Sequence, residues 1–395
     1  MRVSYQAPAS LKRWQTRALI VGAVFSVLLI VGLVLDRQQF FHSYLFAFSF
    51  WAGISVGALA LLMLQHMTGG GWGLAIRRVL EAATQTLPLV ALLFIPIALG
   101  AHSIYIWTHP EEVQKHVPLQ VKAPYLSLPF FTVRAAIYLA IWILLAYLLN
   151  RWSRLQDQTA ERKYTKNMRV LSGPGMVLLV FTVTFAAIDW FMSLDPLWYS
   201  TIYGLIFVAS WALSALAFTI AVMACLVREE PMEGFVAQLH FHDLGKLLLA
   251  LVMLWTYFSF SQYLIIWSGD LPEETRWYLP RVQGGWGVIV FAVVLFHFAF
   301  PFLFLLSRSF KRNARKLVVI AVLILVMRLF DLLWTIAPTW THEHFHISWM
   351  DVVAPIAMGG LWLAVFCWAL TRKPLVPFND PQYESVLEQK HAHAH

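Results

Sequence analysis

Residues 200–227 read STIYGLIFVASWALSALAFTIAVMACLV, a run that contains no charged side chain. A helix crosses the hydrocarbon core of a bilayer with roughly 20 apolar residues, so this run is long enough to span a membrane. Backbone groups inside lipid must find their hydrogen-bond partners within the protein, and a helix satisfies them within one segment. The run therefore predicts a transmembrane helix.

Similar apolar runs recur along the whole chain of 395 residues, which is 59% hydrophobic and only 13% charged. That composition provides too many apolar side chains for the core of one water-soluble domain. Runs of membrane-spanning length occupy residues 18–35, 41–65, 84–107, 131–149, 174–192, 200–227, 246–267, 286–306, 317–337 and 352–370. We therefore predict an all-α integral membrane protein with about ten transmembrane helices, numbered helix 1 to helix 10 in chain order.

The basic residues lie in short clusters between alternate apolar runs. The net charge is +8, but the clusters form no continuous stripe, so we expect no nucleic-acid partner. Lys and Arg concentrate in the cytoplasmic loops of membrane proteins, which predicts that both termini are cytoplasmic. No small-residue cleavage site follows helix 1, so we expect it to be retained and not removed as a signal peptide. The clusters contain Arg151, Arg154, Arg162, Lys163, Lys166, Arg169, Arg308, Lys311, Arg312, Arg315, Lys316, Arg372 and Lys373.

An internal repeat appears where helix ends are compared. Residues 189–198 read DWFMSLDPLW and residues 331–340 read DLLWTIAPTW, and both fit D-x-x-x-[ST]-x-x-P-x-W. A tryptophan followed by Pro-Glu-Glu also recurs, at residues 107–112 and 267–274. The repeated units are then helices 2–5 and helices 6–9, and units of four helices are related in parallel rather than inverted.

This repeat predicts two four-helix bundles, helices 2–5 and 6–9, flanked by helices 1 and 10. The corresponding divisions are residues 1–40 for the N-terminal segment and helix 1, and 41–192 for the first bundle. Residues 193–337 form the second bundle, and residues 338–395 contain helix 10 and a cytoplasmic tail. We expect no separate soluble domain.

Among the charged residues inside predicted spans we single out three: Asp189, Arg328 and Asp331. A charge at the centre of a membrane helix costs about 2.5 to 3.5 kcal/mol, so such residues have a specific role. Arg328 and Asp331 share one helix face, and the repeat places Asp189 opposite Asp331, which predicts two acids near one arginine. The alternatives are an ion pair that fixes packing and a proton path that also includes His297.

His102 lies near the outer end of helix 3 and aligns with Gln262 in the repeat, beside Tyr263. These three residues predict a quinone-site-like pocket, and the alternative for His102 is a hydrogen-bonded core histidine. Two haems in a membrane bundle need four facing histidines, which the spans do not provide. Cys225 and Cys367 form no CxxC or CxxCH motif, so we predict that this chain binds no haem and no iron–sulfur cluster.

Four residues are candidates for proton entry from the cytoplasm. His240, His242 and Asp243 precede helix 7, and Glu81 precedes helix 3. The alternative is that all four are exposed side chains at the membrane surface. His342, His344 and His346 alternate in a loop, but no set of carboxylates or thiols beyond Glu343 completes a metal site, and we predict no metal.

Several short motifs, taken in order, resemble one known family. They are FWAG at residues 50–53, DWFMSLDPLWYS at 189–200, HFHDLGK at 240–246 and SFSQY at 259–263. The chain resembles the ActF-type membrane subunit of bacterial alternative complex III, which belongs to the NrfD-like, polysulfide-reductase-type family. The resemblance covers nearly the whole chain.

This resemblance implies a multi-pass subunit of the bacterial inner membrane in a respiratory or photosynthetic quinol:electron-acceptor oxidoreductase of the cytochrome c type. Its partners would be an iron–sulfur protein, a multihaem cytochrome c, a second NrfD-like subunit and lipids. Haem c and iron–sulfur clusters would lie in those partners, and a quinone is the one small molecule that the resemblance suggests for this chain. A related subunit is usually credited with quinol oxidation, so this one is expected to assist proton movement or assembly and not to be catalytic alone.

The resemblance also implies roles for individual positions. Asp189, Arg328 and Asp331 would be the charged set inside the membrane, with His102, Gln262 and His297 as their polar surroundings. Two other classes of function stay open. A secondary transporter usually has helices broken at matching positions in both halves, which the prolines of this chain do not produce. A scaffold subunit of the same complex would need none of the charged residues for activity.

Overall fold

The computed structural model describes residues 8–341 and 345–392, and every regular element in that part of the chain is helical. Within these described residues, ten helices are long and apolar enough to cross a membrane, as the sequence predicts. They are α1 Ala9–Leu35, α2 Arg37–Thr68, α3 Gly71–Leu99, α4 Leu128–Thr159, α5 Arg162–Leu194, α6 Tyr203–Leu226, α7 Gln238–Gly269, α8 Trp286–Leu306, α9 Ala314–Thr341 and α10 Met350–Thr371. A last helix, α11 Tyr383–Ala392, follows them.

Four of the ten spans are interrupted. In three of them the piece that follows the interruption begins with a proline in its first turn, Pro88, Pro301 or Pro338. Proline has no N–H to donate to the preceding turn, so it starts a helix more easily than it continues one. The pieces are Gly71–Thr84 and Leu87–Leu99 in α3, Arg162–Trp190 and Met192–Leu194 in α5, Trp286–Val293, Val294–Ala299 and Phe300–Leu306 in α8, and Ala314–Ile336 and Pro338–Thr341 in α9.

The helix array has two different ends. We call one the basic end, because it holds the turns at residues 69–70, 160–161, 227–237 and 307–313 together with the segment 372–392. The opposite end, the loop end, holds longer connections at residues 100–127, 195–202 and 270–285, including the short helices Pro110–Lys115 and Val117–Lys122. Since ten spans separate them, residues 8 and 392 both lie at the basic end.

The prediction for the third span, residues 84–107, is wrong at both of its ends. The helix begins at Gly71, because Arg77, Arg78 and Glu81 are buried among partners although their charge interrupts the apolar run. It stops at Leu99, where Gly100 ends the helix and a short helix, Ala101–Ile104, follows.

Two helices, α2 and α6, lie at the centre of the array. The α2 helix packs against α3, α5, α6 and α10, while α6 packs against α2, α5, α7 and α9. At Gly57 of α2 an added Cβ would lie 2.0 Å from the carbonyl oxygen of Trp211, so only glycine permits this approach of α2 to α6. Helices in lipid gain nothing from the hydrophobic effect when they associate. Small residues instead let their backbones approach closely and pack.

The outer helices expose their apolar side chains. Only 17% of the apolar window of α1 and 22% of those of α7 and α8 are buried, against 89% for α2. On α1, Val34 is 82% exposed. Helix α1 contacts the rest of the protein mainly through α10. The backbones of Gly22 in α1 and Gly360 in α10 are in direct contact. These surfaces have the composition of a lipid-facing perimeter.

Candidate functional site

Asp189 is completely buried near the loop end of α5 and has three hydrogen bonds to its carboxylate. Arg134 of α4 donates from Nε at 2.8 Å and from Nη2 at 3.0 Å, which forms a bidentate pair. The Tyr138 hydroxyl donates a third bond at 2.9 Å. The remaining Arg134 nitrogen donates to the Tyr125 carbonyl at 2.9 Å, and the guanidinium lies 3.8 Å from the centroid of the Tyr125 ring. Both charges of this pair are therefore fully partnered.

Asp331 is paired within its own helix. The Arg328 Nη1 donates to the Asp331 carboxylate from the preceding turn of α9. The other terminal nitrogen of Arg328, Nη2, has no hydrogen-bond partner although it is buried. The expectation that Asp189 and Asp331 share Arg328 is wrong, because Arg134 occupies that role for Asp189.

His297 lies at the middle of α8, inside the six-residue π-helical segment Val294–Ala299. Its ring is completely buried and packs edge-on against Trp255 of α7 with centroids 4.4 Å apart. The ring lies beside the backbone of Ile324, but neither nitrogen makes a contact with hydrogen-bond geometry. Arg328 is close enough to act on the imidazole electrostatically. Segments of π-helix inside α-helices occur frequently at functional sites.

The repeated motif has the same local geometry in both places. Ser193 donates to the Asp189 carbonyl at 2.5 Å, and Thr335 donates to the Asp331 carbonyl at 2.8 Å. Each motif ends in a tryptophan whose indole N–H donates to a backbone carbonyl in a connection at the loop end. Trp198 donates to the Glu274 carbonyl, after α7, at 3.1 Å, and Trp340 donates to the Ile104 carbonyl, after α3, at 3.3 Å.

Two cavities open at the loop end, and His102 lines both of them. The smaller, about 440 Å³, lies between the short helix Pro110–Lys115 and the start of α4. The larger measures about 630 Å³, and we call it the loop-end cleft. The rings of His102 and His109 stack with centroids 4.0 Å apart. The charged and titratable residues that line the loop-end cleft are Arg37, His102, Tyr105, His109, His116, Asp195 and Arg276.

The contacts of Gln262 and Tyr263 are made with residues other than His102. Gln262 is buried, accepts a hydrogen bond from Ser200 at 2.7 Å and donates one to the Tyr278 hydroxyl at 3.1 Å. Burial raises the pKa of Tyr278 to about 12, so this hydroxyl stays protonated. Tyr263 is 36% exposed and stacks on Trp267. Neither Gln262 nor Tyr263 lines the two cavities, and the quinone-site-like pocket made of all three residues stays a prediction.

Glu81 is buried at the centre of an ion-pair network that we call the basic-end cluster. Its carboxylate accepts hydrogen bonds from Arg77 Nε at 2.9 Å, Arg78 Nη1 at 2.8 Å and Lys373 Nζ at 2.9 Å. Ser153 Oγ donates a fourth bond. The interpretation of Glu81 as an exposed side chain is therefore wrong. The cluster consists of Arg77, Arg78, Glu81, Asp157, Lys373 and Asp380.

The segment after α10 contributes two members of this cluster. Asp380 accepts from Arg77 Nη1 at 2.7 Å, and Lys373 reaches Glu81 and the Asn150 side chain. Burial lowers the pKa of Lys373, while the Glu81 carboxylate opposes that shift by favouring the charged amine. Three positive and three negative side chains balance within the network, which explains how it is tolerated in the interior.

The other proposed proton-entry residues lie in the first turns of α7. His240 is buried, and its Nδ1 accepts a hydrogen bond from the Ala237 N–H at 3.0 Å. His242 is also buried, with Nδ1 lacking a hydrogen-bond partner and 3.8 Å from the Asp243 carboxylate. Asp243 pairs with Lys246 at 3.1 Å. The His240 ring lies beside Gly71, the first residue of α3, which is the helix that carries Glu81. The structure therefore brings the proton-entry candidates together at the basic end.

Sequence reasoning missed several buried charges. Arg134 lies inside the predicted helix 4. A charge within an apolar run is the same signal that identified Asp189. Arg77 and Arg78 precede the predicted start of helix 3, so their burial had no signal in the apolar pattern. Asp351 accepts from Ser43 at 2.6 Å and from the Ser348 N–H at 2.8 Å, which fixes the start of α10 against α2.

Within residues 8–341 and 345–392, no group of three or more His, Cys, Asp or Glu side chains is arranged to hold a metal ion. Two of the alternating histidines, His342 and His344, lie outside the described residues together with Glu343. The third, His346, lies within them. The metal prediction for this loop is therefore not decided by the structure.

No protein-family model matches this chain, and a search of curated proteins returns no match. Function is therefore inferred from the buried charges and from the motifs that resemble a known family. The polar groups with unused hydrogen-bonding capacity inside the spans are the most informative, because a membrane interior gives them no water to bond. Among these, Arg328 and His297 lie together in the second half of the chain.

Proposed function

We propose that this chain is a membrane subunit of a quinol:electron-acceptor oxidoreductase, and that Asp331, Arg328 and His297 form its proton-handling site. The observation that carries the proposal is the incomplete hydrogen bonding of this buried group, in which Arg328 Nη2 and both His297 nitrogens lack partners. Ionisable residues inside membrane spans most often mark ion, proton or substrate paths. Buried polar groups with a purely structural role are instead expected to have hydrogen-bond partners.

Each member of the site has a distinct chemical capacity. The Arg328 guanidinium cannot release its proton in a protein, so it provides fixed positive charge. The Asp331 carboxylate can take up and release a proton, and the adjacent guanidinium stabilises its ionised form. A neutral His297 imidazole can accept a proton at its unprotonated ring nitrogen, and neither nitrogen makes a contact with hydrogen-bond geometry. Asp331 and His297 both lie beside Arg328, Asp331 through a hydrogen bond and His297 within electrostatic range.

The proposal also includes the orientation of the chain in the membrane and its assembly with partner subunits. The basic end faces the cytoplasm of a bacterial inner membrane, since positive residues concentrate on that side. The contacts of α2 with α3 and α5, of α4 with α5, of α6 with α7 and α9, and of α8 with α7 and α9 support two units of four helices. Partner subunits, an iron–sulfur protein, a multihaem cytochrome c and a second NrfD-like protein, carry the haem c and iron–sulfur clusters.

A scaffold subunit of the same complex is the second candidate. It is favoured by the complete pairing of Asp189 and by the network of ion pairs around Glu81, both of which join different helices or segments. The two candidates differ in what the Asp331 group contributes. A scaffold needs it for stability alone, whereas a proton-handling subunit needs it for turnover.

Purification from native membranes in mild detergent tests the class of function. A tag at the C-terminus should bring down proteins that stain for covalent haem and show iron–sulfur spectra, together with quinol oxidation activity. Purification of the chain without any redox protein would contradict the oxidoreductase proposal. Labelling of Gln114→Cys by an impermeant reagent from the outer side tests the orientation, and labelling from the cytoplasmic side would reverse it.

A further inference from the structure

We propose that the loop-end cleft binds the phosphate group of an anionic phospholipid. The cleft has a volume of about 630 Å³ and is lined by residues from both halves of the chain, with His102 and Leu194 in the first half and Arg276 and Trp340 in the second. This inference concerns a ligand of the membrane itself and does not depend on the proposed redox role.

The charge of the lining favours a phosphate. Two arginines, Arg37 and Arg276, face the cleft together with three histidines. Asp195 is the one carboxylate among the described lining residues, and it lies 3.7 Å from Arg276. Within the described part of the chain, Arg37 forms no ion pair, and its guanidinium lies 5.9 Å from the centroid of the Phe41 ring. A guanidinium matches phosphate oxygens with two parallel hydrogen bonds, a match that a neutral quinone does not offer.

The depth of the cleft favours a lipid over a soluble anion. Arg37 is the first residue of α2, and Asp195 directly follows the last residue of α5. His102 comes three residues after the end of α3 at Leu99, and Trp340 lies in the last turn of α9. The ends of membrane spans coincide with the headgroup layer, where lipid phosphates lie and where tryptophan is enriched.

The apolar part of the lining suits the rest of a phospholipid. Ile104, Leu119, Leu194 and Leu197 line the same cavity as the arginines. Ile106, which also lines it, is 41% exposed. A free phosphate ion would gain nothing from these side chains, whereas the glycerol and first methylene groups of a lipid would be covered by them. Basic pockets between transmembrane helices bind phospholipid headgroups in the same way.

The test measures phospholipid that remains with the full-length protein, purified with its partners and washed in detergent. In the double variant Arg37→Gln and Arg276→Gln, retention of phosphatidylglycerol and other anionic lipids should fall about tenfold or more, because two charge-assisted contacts are removed. The matched control, Arg154→Gln with Lys163→Gln, removes the same charge from exposed positions at the basic end and should retain the lipid. Equal retention in both double variants would overturn the proposal.

Two further arms identify the ligand. Vesicles of phosphatidylcholine with phosphatidylglycerol should raise the unfolding temperature of the wild-type protein above that in phosphatidylcholine alone, and the double variant should lose this difference. Inorganic phosphate at the same concentration should give no such protection. Equal protection by inorganic phosphate would overturn the lipid assignment. Cross-linking of a Gln38→Cys variant, which keeps both arginines, to an acidic segment of a partner subunit with no lipid bound would overturn it as well.

Discussion

Asp189 and Asp331 occupy the same place in a repeated motif, yet their surroundings differ. Asp189 receives two bonds from Arg134 on a neighbouring helix and one from Tyr138. Asp331 is bonded by Arg328 on its own helix, and part of that guanidinium is left without a partner. The position three residues before Asp189, which corresponds to Arg328, is a buried alanine, Ala186.

This difference distinguishes an ion pair that holds two helices together from a site that can handle protons. A bidentate pair between α4 and α5 holds two helices together, and protonation of Asp189 would weaken all three of its bonds. A pair within α9 holds no two helices together, so its burial needs another reason. We infer that Asp189 fixes packing in the first half of the chain and that the matched position in the second half is used for proton handling.

The largest effect is expected for Asp189→Asn. The change leaves the Arg134 charge buried without a counter-charge, which should lower the free energy of unfolding by about 3–5 kcal/mol. Thermal unfolding of the purified protein in detergent measures this loss. The double variant Arg134→Met with Asp189→Leu removes both charges and should recover most of the stability. An unchanged unfolding temperature for Asp189→Asn would show that the pair is not structural.

The double variant Arg328→Gln with Asp331→Asn should behave in the opposite way. Because both charges are removed together, stability should stay within about 1 kcal/mol of the wild type. Quinol oxidation or the coupled proton movement should fall about 100-fold, since an amide keeps the shape of the acid but cannot carry a proton. Assembled yield, quinol turnover and proton release in liposomes are the measurements. Full activity of this variant would remove the functional role and favour the scaffold.

A smaller effect is expected for Tyr138→Phe, which removes one of the three bonds to Asp189. A hydrogen bond to a charged group contributes about 1.5 kcal/mol or somewhat more, and unfolding should become easier by that amount. Tyr147→Phe on the same helix is the matched control, because Tyr147 is 54% exposed and should tolerate the change. If both variants unfold alike, the Tyr138 bond adds nothing to the Asp189 pair.

The smallest effect on stability is expected for His297→Phe. Neither ring nitrogen makes a hydrogen bond, so an apolar ring of similar size should change the unfolding free energy by less than about 1 kcal/mol. Turnover of the assembled complex should nevertheless decrease if the imidazole accepts the proton of Asp331. A stability loss well above 2 kcal/mol would instead indicate that hydrogen bonds hold this histidine in the core.

The ten spans could be predicted from the sequence because the length of an apolar run is a local property. Helix α6 begins and ends within three residues of the predicted bounds at both ends, since no charge lies within it and Arg228 closely follows its last residue. Helix α3 was misplaced because its first half, Gly71–Thr84, carries charges that are neutralised by residues up to 303 positions away. No scan along the chain can detect partners at such distances.

The contacts of the candidate site could also be predicted only in part from the sequence. The pair of Arg328 with Asp331 follows from their spacing on one helix, and the structure confirms that contact. The partner of Asp189 could not be assigned, because Arg134 lies 55 residues earlier on another helix. The environment of His297 depends on a π-helical segment and on a ring from α7, neither of which has a distinct sequence pattern.

The basic-end cluster has a consequence for how the chain is made. Arg77 and Glu81 enter the membrane region early in synthesis, but Asp380 and Lys373 are translated 303 and 292 residues later. Until then the first half of α3 lacks two of the six charges that neutralise its surroundings. We therefore expect α3 to reach its final packing only after the last segment of the chain has been made, and a truncation before residue 373 should lower the yield of folded protein.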